Sequence, residues 1–209
     1  GLMRLLPLDS GQITFDQQDF LSLDKQPLRN ARKHIQMVFQ DPFASLNPRM
    51  RVGEIIAEGL VIHRIGNDNQ QRDQVVHKLE KVGLKAEDSH KFPHQFSGGQ
   101  RQRIGIARAL ILQPKLVICD EPVSALDVSV QAQILLLLKQ LQTEMGLSYL
   151  FITHDLRVVR HIADEVMVMQ KGKVIEQGSV ENIYNAPQEI YTQQLLNAIP
   201  GHAKRAAIA

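Results

Sequence analysis

The sequence predicts an α/β fold in which a parallel core sheet carries an inserted helical subdomain. Two observations lead to this prediction. Short apolar segments alternate with helical segments in both halves of the chain, and the block from Val52 to about Leu112 between them is helical throughout. Alternation of strands and helices is typical of parallel sheets whose faces are covered by helices.

The composition agrees with an ordinary globular protein. Of the 209 residues, 44% are hydrophobic and 22% are charged, and this length allows one domain or one domain with an insertion. The 24 basic and 22 acidic side chains leave a net charge of +2. We expect no nucleic-acid partner, because domains that track phosphates carry a concentrated basic excess. The single cysteine excludes a disulfide framework.

The first predicted elements are short. The pattern predicts a strand from Gln12 to Phe15, a helix from Gln26 to Lys33 and a core strand from His34 to Phe39. Pro42 ends this first core strand, because proline cannot donate a hydrogen bond to a β-ladder.

Three helices fill the helical block. They are predicted from Gly53 to Leu60, from Gln70 to Val82 and from Ser97 to Leu112. Gly83 and Pro114 follow the second and third of these helices, and both residue types commonly end a helix.

Two continuous apolar runs in the second half read as buried strands of a parallel sheet. These runs are Leu116 to Cys119 and Tyr149 to Ile152, and a helix from Val130 to Met145 with Gly146 at its end connects them. The other predicted elements are a helix over 155–161, strands over 166–169 and 173–176 joined by a tight turn at Lys171-Gly172, and helices over 180–184 and 190–198. Residues 201–209 read as a frayed tail.

The start of the third helix is rich in glycine. Ser97 is a good helix N-cap, and Gly98-Gly99 would let a ligand approach the backbone closely. The unpaired N–H groups and the helix dipole at such a start suit a phosphate. When this segment is taken alone, a merely capped helix is the better explanation, and only its context favours a phosphate site. Arg101 and Arg103, further along, are expected to form salt bridges or to face solvent.

Polar side chains follow three of the predicted core strands. Gln40 follows the first, Asp120 and Glu121 the second, and His154 the third. Ligands of parallel α/β folds bind at the carboxyl ends of the strands, where Asp120 could hold Mg²⁺ and Glu121 could deprotonate a water. An isolated Asp-Glu pair is usually a solvated turn and a lone His is usually structural, but three such strand ends together predict a site.

These motifs together resemble those of ATP-binding cassette (ABC) transporter ATPases. Residues 96–100 resemble the signature motif of that family, 116–121 its Walker B strand and 124–127 its D-loop. Gln40 corresponds to the glutamine of the Q-loop and His154 to the switch histidine. The order and spacing agree over essentially the whole chain.

Two further regions resemble the peptide-importer branch, which includes oligopeptide, dipeptide, glutathione and nickel systems. They are the segment from Gln40 to Arg49 and the C-terminal segments 191–196 and 198–200. The sequence looks most like the C-terminal cassette of a tandem Yej-type importer of microcins and peptides.

The resemblance implies a P-loop NTPase-like nucleotide-binding domain that hydrolyses ATP to drive import of an oligopeptide, dipeptide or microcin-like solute. It implies ATP and Mg²⁺ as cofactors, Glu121 as general base and His154 as a brace for the γ-phosphate. The implied nucleotide- and phosphate-binding residues are Gln40, Ser97, Gly98, Gly99, Gln100, Asp120 and Asp127, and the implied Mg²⁺ ligands are Gln40 and Asp120.

The same resemblance implies partners and a location. Two cassettes are expected to close head to tail around two ATP molecules, as a homodimer or within a tandem chain. Two transmembrane permease subunits are expected to dock on the segment from Asp41 to Arg49 and the helices up to Leu60. A periplasmic or extracellular solute-binding protein would act indirectly. The expected location is peripheral, on the cytoplasmic face of the bacterial inner membrane.

One family motif is missing from these 209 residues. The sequence contains no G-x-x-x-x-G-K-[ST] loop, whose lysine meets the β- and γ-phosphates. The apolar start from Gly1 to Leu6 resembles the tail of the helix that follows this loop, so we interpret the chain as a cassette truncated at its N-terminus, without the first strands and the Walker A loop. We expect ATPase activity in the full-length parent and none in the 209 residues alone.

This interpretation gives a domain plan and leaves two alternatives. Residues 1–209 would form a single truncated nucleotide-binding domain, with 52–112 as its helical signature subdomain and 179–209 as a C-terminal helical extension. The chain could instead be a catalytically incompetent fragment that lends its signature motif in trans, or a non-transport ABC ATPase. Cys119 lies within a buried strand, where cysteine behaves as a small apolar residue.

Overall fold

The computed structural model describes residues 1–199. The chain divides into two compact units, Gly1–Ile152 and Thr153–Ala209. The predicted tail over 201–209, and the part of the predicted extension that follows residue 199, lie outside the described residues.

The elements follow one another in an α/β order. The first unit contains β1 (Thr14–Phe15), β2 (Gln18–Asp19), α1 (Lys25–Ala31), β3 (Ile35–Val38), α2 (Val52–His63), α3 (Asp68–Lys81), two 3₁₀ turns (Ala86–His90 and Pro93–Gln95), α4 (Gly98–Leu110), β4 (Leu116–Asp120), α5 (Val128–Met145) and β5 (Ser148–Ile152). The second contains α6 (Leu156–Ile162), β6 (Glu165–Gln170), β7 (Lys173–Ser179), α7 (Val180–Asn185) and α8 (Ile190–Asn197).

A three-stranded parallel sheet with the order β3-β4-β5 lies at the centre of the first unit. In register, Val38 pairs with Cys119 and Asp120 pairs with Ile152. The carboxyl ends of the three strands therefore lie along one edge of the sheet. This arrangement confirms the predicted parallel α/β core, since apolar runs that are buried on both faces are characteristic of such sheets.

The helices of the first unit cover the sheet and form the insertion. Helix α5 buries Ile134, Leu137, Leu138 and Leu141, which share one face because they are three, four and seven positions apart. It ends at Gly146, whose φ of 62° is left-handed, a conformation that glycine adopts at low cost. Helices α2, α3 and α4, which lie between β3 and β4 in the sequence, pack on one another. The sequence predicts this helical block.

Two regions at the start of the chain differ from the prediction. Strand β2 was missed because its hairpin turn consists of Asp16 and Gln17, which have φ values of 52° and 63°, whereas Asn-Gly or Asp-Gly is the usual signal for such a turn. The first six residues form turns instead of the end of a helix. The Arg32 guanidinium binds the carbonyl groups of Met3 and Arg4 and so holds these turns.

The second unit is built on an antiparallel hairpin of β6 and β7. Lys171 and Gly172, with φ values of 50° and 78°, make the predicted tight turn. Helices α7 and α8 supply the rest of a small core, which contains Val166, Val168, Ile183, Tyr184 and Leu196. None of the helices within residues 1–199 combines the length and apolar character that crossing a membrane requires.

Candidate functional site

The carboxyl edge of the central sheet brings Gln40 and Glu121 together. Gln40 lies two residues after β3, and Glu121 directly follows Asp120 at the end of β4. The Gln40 amide Nε2 donates a hydrogen bond of 2.8 Å to the Glu121 carboxylate Oε2. These two residues are 81 positions apart in the sequence, so their meeting depends on the parallel pairing of β3 with β4.

The backbone at Glu121 adopts an uncommon conformation. Its φ is +43°, in the left-handed region that residues other than glycine seldom adopt. Its N–H donates to the Ile152 carbonyl at 2.9 Å, and its own carbonyl accepts bonds from the Ser124 N–H and hydroxyl at 3.2 and 3.1 Å. These bonds on both sides fix the residue, because such strained positions persist only where neighbouring contacts hold them.

The side-chain oxygen atoms at this edge suit a magnesium ion. Asp120 and Glu121 are half-buried, and Gln40 is exposed. The amide nitrogen of Gln40 makes the bond to Glu121. The amide oxygen of Gln40 is not used in that bond. Amide and carboxylate oxygens are the hard ligands that Mg²⁺ prefers. Gln40 and Asp120 therefore fit the metal chemically.

The glycine-rich start of α4 is capped on both sides. The Ser97 hydroxyl accepts a bond from the Gln100 N–H at 3.4 Å, and the Gln100 side-chain oxygen accepts one from the Ser97 N–H at 3.0 Å. This reciprocal pair is a capping box. The N–H groups of Gly98 and Gly99 belong to the first turn, where an α-helix provides no acceptor of its own. An anion would be stabilised there.

The same helix start packs closely on the segment before and within α5. A Cβ atom added to Gly98 would lie 3.4 Å from Leu126 Cδ2, and one added to Gly99 would lie only 2.5 Å from Val130 Cγ1. The second distance is too short for any real contact. Gly99 is therefore required by packing within this chain, in addition to any ligand that approaches its backbone.

Sequence reasoning missed Gln131, which fixes the segment of residues 123–127. Its amide Nε2 donates to the carbonyls of Val123 and Leu126 at 3.0 and 2.9 Å. Asp127 lies at the N-cap of α5, where its side chain makes no capping bond. A glutamine in the first turn of a helix that follows a loop is a weak signal for such a bond.

The arginine that follows the signature motif corrects an expectation. Arg101 is only 8% exposed, and its Nε donates to the Pro93 carbonyl at 2.7 Å. Among residues 1–199 it has no carboxylate partner. Its guanidinium lies 3.7 Å from the ring centre of Phe43. Arg103 also binds a carbonyl, that of Val82. Both side chains hold backbone where salt bridges or solvent exposure were expected.

The segment after Gln40 presents one exposed aromatic ring, that of Phe43. The Asp41 carboxylate accepts bonds from the N–H groups of Phe43 and Ala44 at 2.7 and 3.2 Å, which shapes the turn. Phe43 remains 64% exposed. Arg108 donates to the Ser45 carbonyl at 2.6 Å and lies over the ring of Phe39. Helix α4 therefore holds this segment through Arg108.

Two further residues of interest are placed as follows. Cys119 is fully buried in β4, and burial raises the pKa of its thiol to about 12, consistent with a structural role.

His154 belongs to the second unit, two residues after β5, and precedes the Asp155 cap of α6. The side-chain hydrogen bond from Arg157 is the main cause that lowers the pKa of Asp155.

Comparisons with known proteins find relatives with similar sequences. The dipeptide transport ATP-binding protein DppF of Haemophilus influenzae is 54% identical over 190 residues, which are 91% of this chain and 58% of the relative. The oligopeptide transport ATP-binding protein OppF of Salmonella typhimurium is 52% identical over 201 residues, 96% of this chain and 60% of the relative. The chain thus spans less than two thirds of the length of either relative.

Solved structures give the same fold. The structure of cbiO1 from Clostridium perfringens, part of the ABC transporter complex cbiONQ, covers 98% of this chain and 80% of its own with a TM-score of 0.80 and 29% identity. The ATP-binding cassette MJ0796, in a dimeric structure bound to ADP and Pi, covers 82% of this chain and 74% of its own with a TM-score of 0.72 and 29% identity.

The predicted fold class is confirmed by these neighbours. The family model described as ABC transporter matches residues 2–124, a range that includes Gln40, the signature helix and the Asp120-Glu121 pair. Because this match extends over more than half of the sequence, the chain belongs to the ABC transporter family.

Proposed function

We propose that these residues form the ATP-hydrolysing part of a subunit that energises a bacterial importer of peptides. The observation that carries this proposal is the bond between Gln40 and Glu121 at the carboxyl edge of the sheet, beside Asp120. The dipeptide and oligopeptide transport ATP-binding proteins, which share about half of their aligned residues with this chain, support peptides as the solute class.

Glu121 acts as the general base in this proposal. The Gln40 amide orients the carboxylate, and the bonds to the backbone of Glu121 keep it at the sheet edge. A carboxylate held in this way can accept a proton from the water that attacks the terminal phosphate. General-base assistance of this kind contributes about 10²–10⁴-fold to a rate.

The other site residues bind and neutralise charge. ATP supplies the phosphoryl group whose transfer to water drives transport, and Mg²⁺ balances the charge of the phosphate oxygens. Gln40 and Asp120 would hold the metal, and His154 would brace the terminal phosphate. The start of α4, with Ser97, Gly98, Gly99 and Gln100, would bind a phosphate held mainly by a second cassette, and Asp127 would lie at that junction.

The segment from Asp41 to Arg49 is the proposed docking surface for two permease subunits at the cytoplasmic face of the membrane. Exposed Phe43 and half-exposed Phe39 offer apolar contacts for a partner helix. Gln40 directly precedes this segment and binds Glu121. A movement of the docked partner would therefore change the orientation of the catalytic carboxylate.

The decisive experiment measures ATP turnover and ATP binding in the assembled transporter whose ATP-binding subunit contains these residues. Glu121→Gln keeps the shape of the side chain and removes the base, so turnover should fall about 10²–10⁴-fold while ATP still binds. Glu80→Gln, on the exposed surface of α3, is the matched control and should leave both unchanged. Parental turnover in Glu121→Gln would refute the role of Glu121.

The docking surface requires a separate measurement. Phe43→Ala should reduce peptide uptake while the ATPase rate of the detached subunit stays near the parental value, because the ring of Phe43 contacts Arg101 and Phe43 is not one of the proposed ATP-site residues. Leu136→Ala, which removes an equally exposed apolar side chain from α5, is the control. Unchanged uptake in the Phe43 variant would contradict the proposed surface.

A further inference from the structure

A polar pocket lies at the edge of the central sheet opposite the candidate site. It has a volume of about 460 Å³ and is bounded by the end of α3, the segment before β4 and the end of α5. Its polar lining residues are Gln74, His77, Lys78, Lys81, Gln113 and Lys115. Lys115 precedes β4 and Asp120 ends it, so about 16 Å of strand separates this pocket from the catalytic edge.

Two of the three lysines in the pocket have carboxylate partners. The Lys81 ammonium lies 3.0 Å from Glu144 Oε2, and the Lys115 ammonium lies 2.6 Å from Asp16 Oδ2. The hydrogen bond from Lys115 is the main cause that lowers the pKa of Asp16. These two positive charges are therefore balanced by the protein itself.

Lys78 differs from both. It is only 6% exposed and lies on the buried face of α3 with Val75 and Leu79. Within residues 1–199 its ammonium has no hydrogen-bond or ion-pair partner, although it belongs to the pocket lining. Burial, followed by the positive charge of Lys81, lowers its pKa, which agrees with the absence of a nearby compensating anion.

The buried part of this lysine is its aliphatic stem, and its ammonium is left facing the pocket. An ammonium that is largely withdrawn from water and lacks an anionic partner within residues 1–199 is less favourable than a paired one. Lys78 does lie in the last turn of α3, where the helix dipole favours a cation. That effect acts equally on a solvated side chain, as for exposed lysines at helix ends, so it does not account for the burial.

We propose that this pocket is an anion site that binds a small compound bearing one or two phosphate groups, with the Lys78 ammonium as its central contact. The amide side chains of Gln74 and Gln113 and the ring of His77 add hydrogen-bond donors to the lining, which suits the several acceptor oxygens of a phosphate. The volume lies within the range of small-molecule sites. This site is distinct from the ATP site and does not depend on the function proposed above.

The test uses inorganic pyrophosphate as the probe and the whole chain as the protein. Titration calorimetry should detect one pyrophosphate per chain, and the unfolding temperature should rise with ligand because binding favours the folded state. Lys78→Met keeps the length of the side chain and should weaken binding about 10- to 100-fold, since it removes one charged hydrogen bond. Lys139→Met, at an exposed lysine of α5, should bind like the parent.

A labelling experiment on the unmodified sequence provides an independent readout. Acetic anhydride acetylates accessible amines, and mass spectrometry reports the extent at each lysine. Pyrophosphate should protect Lys78 and leave Lys139 unprotected. The proposal is wrong if the parent chain binds no pyrophosphate, if Lys78→Met binds it as tightly as the parent, or if Lys78 labelling does not change.

Discussion

Replacing Gly99 with alanine should destabilise the chain through a contact with Val130. An added Cβ would lie 2.5 Å from Val130 Cγ1, whereas carbon atoms in contact are about 3.5–4.0 Å apart. The two helices would have to separate by about 1 Å, because the β-branched side chain of Val130 has one strongly preferred rotamer in a helix.

The expected cost follows from these distances. Overpacking of this size costs about 1–3 kcal/mol, and the better helix propensity of alanine returns at most about 1 kcal/mol. With the full return of about 1 kcal/mol, the net loss is at most about 2 kcal/mol, and each kcal/mol lost lowers the unfolding temperature of a domain of this size by roughly 2–4 °C.

Thermal and urea unfolding of four chains would test this reasoning. The chains are the parent, Gly99→Ala, Val130→Ala and the double variant. The double variant should be more stable than Gly99→Ala, with a coupling energy of about 1 kcal/mol or more. Gly105→Ala, in the same helix but with open space around the new Cβ, should not destabilise. Equal stability of Gly99→Ala and Gly105→Ala, or additive effects in the double variant, would refute the contact.

Three further predictions concern single side chains. Gln131→Leu should lower the free energy of unfolding by about 1–3 kcal/mol because two carbonyls lose their donor, and urea titration beside Gln133→Leu, at an exposed position of the same helix, would measure it. Cys119 should resist iodoacetamide near neutral pH in the folded chain and react after denaturation, because burial raises the pKa of its thiol to about 12. Stoichiometric labelling of the folded chain would show that this thiol is accessible to solvent and would contradict its burial in β4. Asp155 has a lowered pKa, caused mainly by Arg157. Its pairing should therefore stabilise the fold above the ordinary aspartate pKa and cease to do so as the pH falls through the lowered value; an NMR titration midpoint at or above the ordinary value would contradict this.

Most of the core could be predicted because each strand of the central sheet has a local sequence pattern that indicates it. Leu116 to Cys119 is apolar throughout, and a polar pair follows it, so both the strand and the position of Asp120 and Glu121 could be read from adjacent residues. Gln40 was assigned on the same basis. The bond between Gln40 and Glu121 then follows from the parallel order of β3 and β4.

The features that were missed depend on contacts between distant elements. The approach of Gly99 to Val130 is set by how α4 packs beside α5, and no local pattern encodes that geometry. Arg101 is buried because Phe43 and the Pro93 carbonyl meet it. Its neighbours in the sequence are polar, so periodicity alone places it at the surface.

The left-handed backbone of Glu121 has a consequence for how this position can evolve. Asparagine and glycine adopt that conformation more easily than glutamate, and holding another residue there costs about 1–3 kcal/mol. Selection for thermal stability alone would therefore favour replacement of the carboxylate, and under the proposed role of Glu121 only selection that also demands turnover would retain it. Stabilised variants obtained by screening for folding should thus be sequenced at this position before their activity is compared.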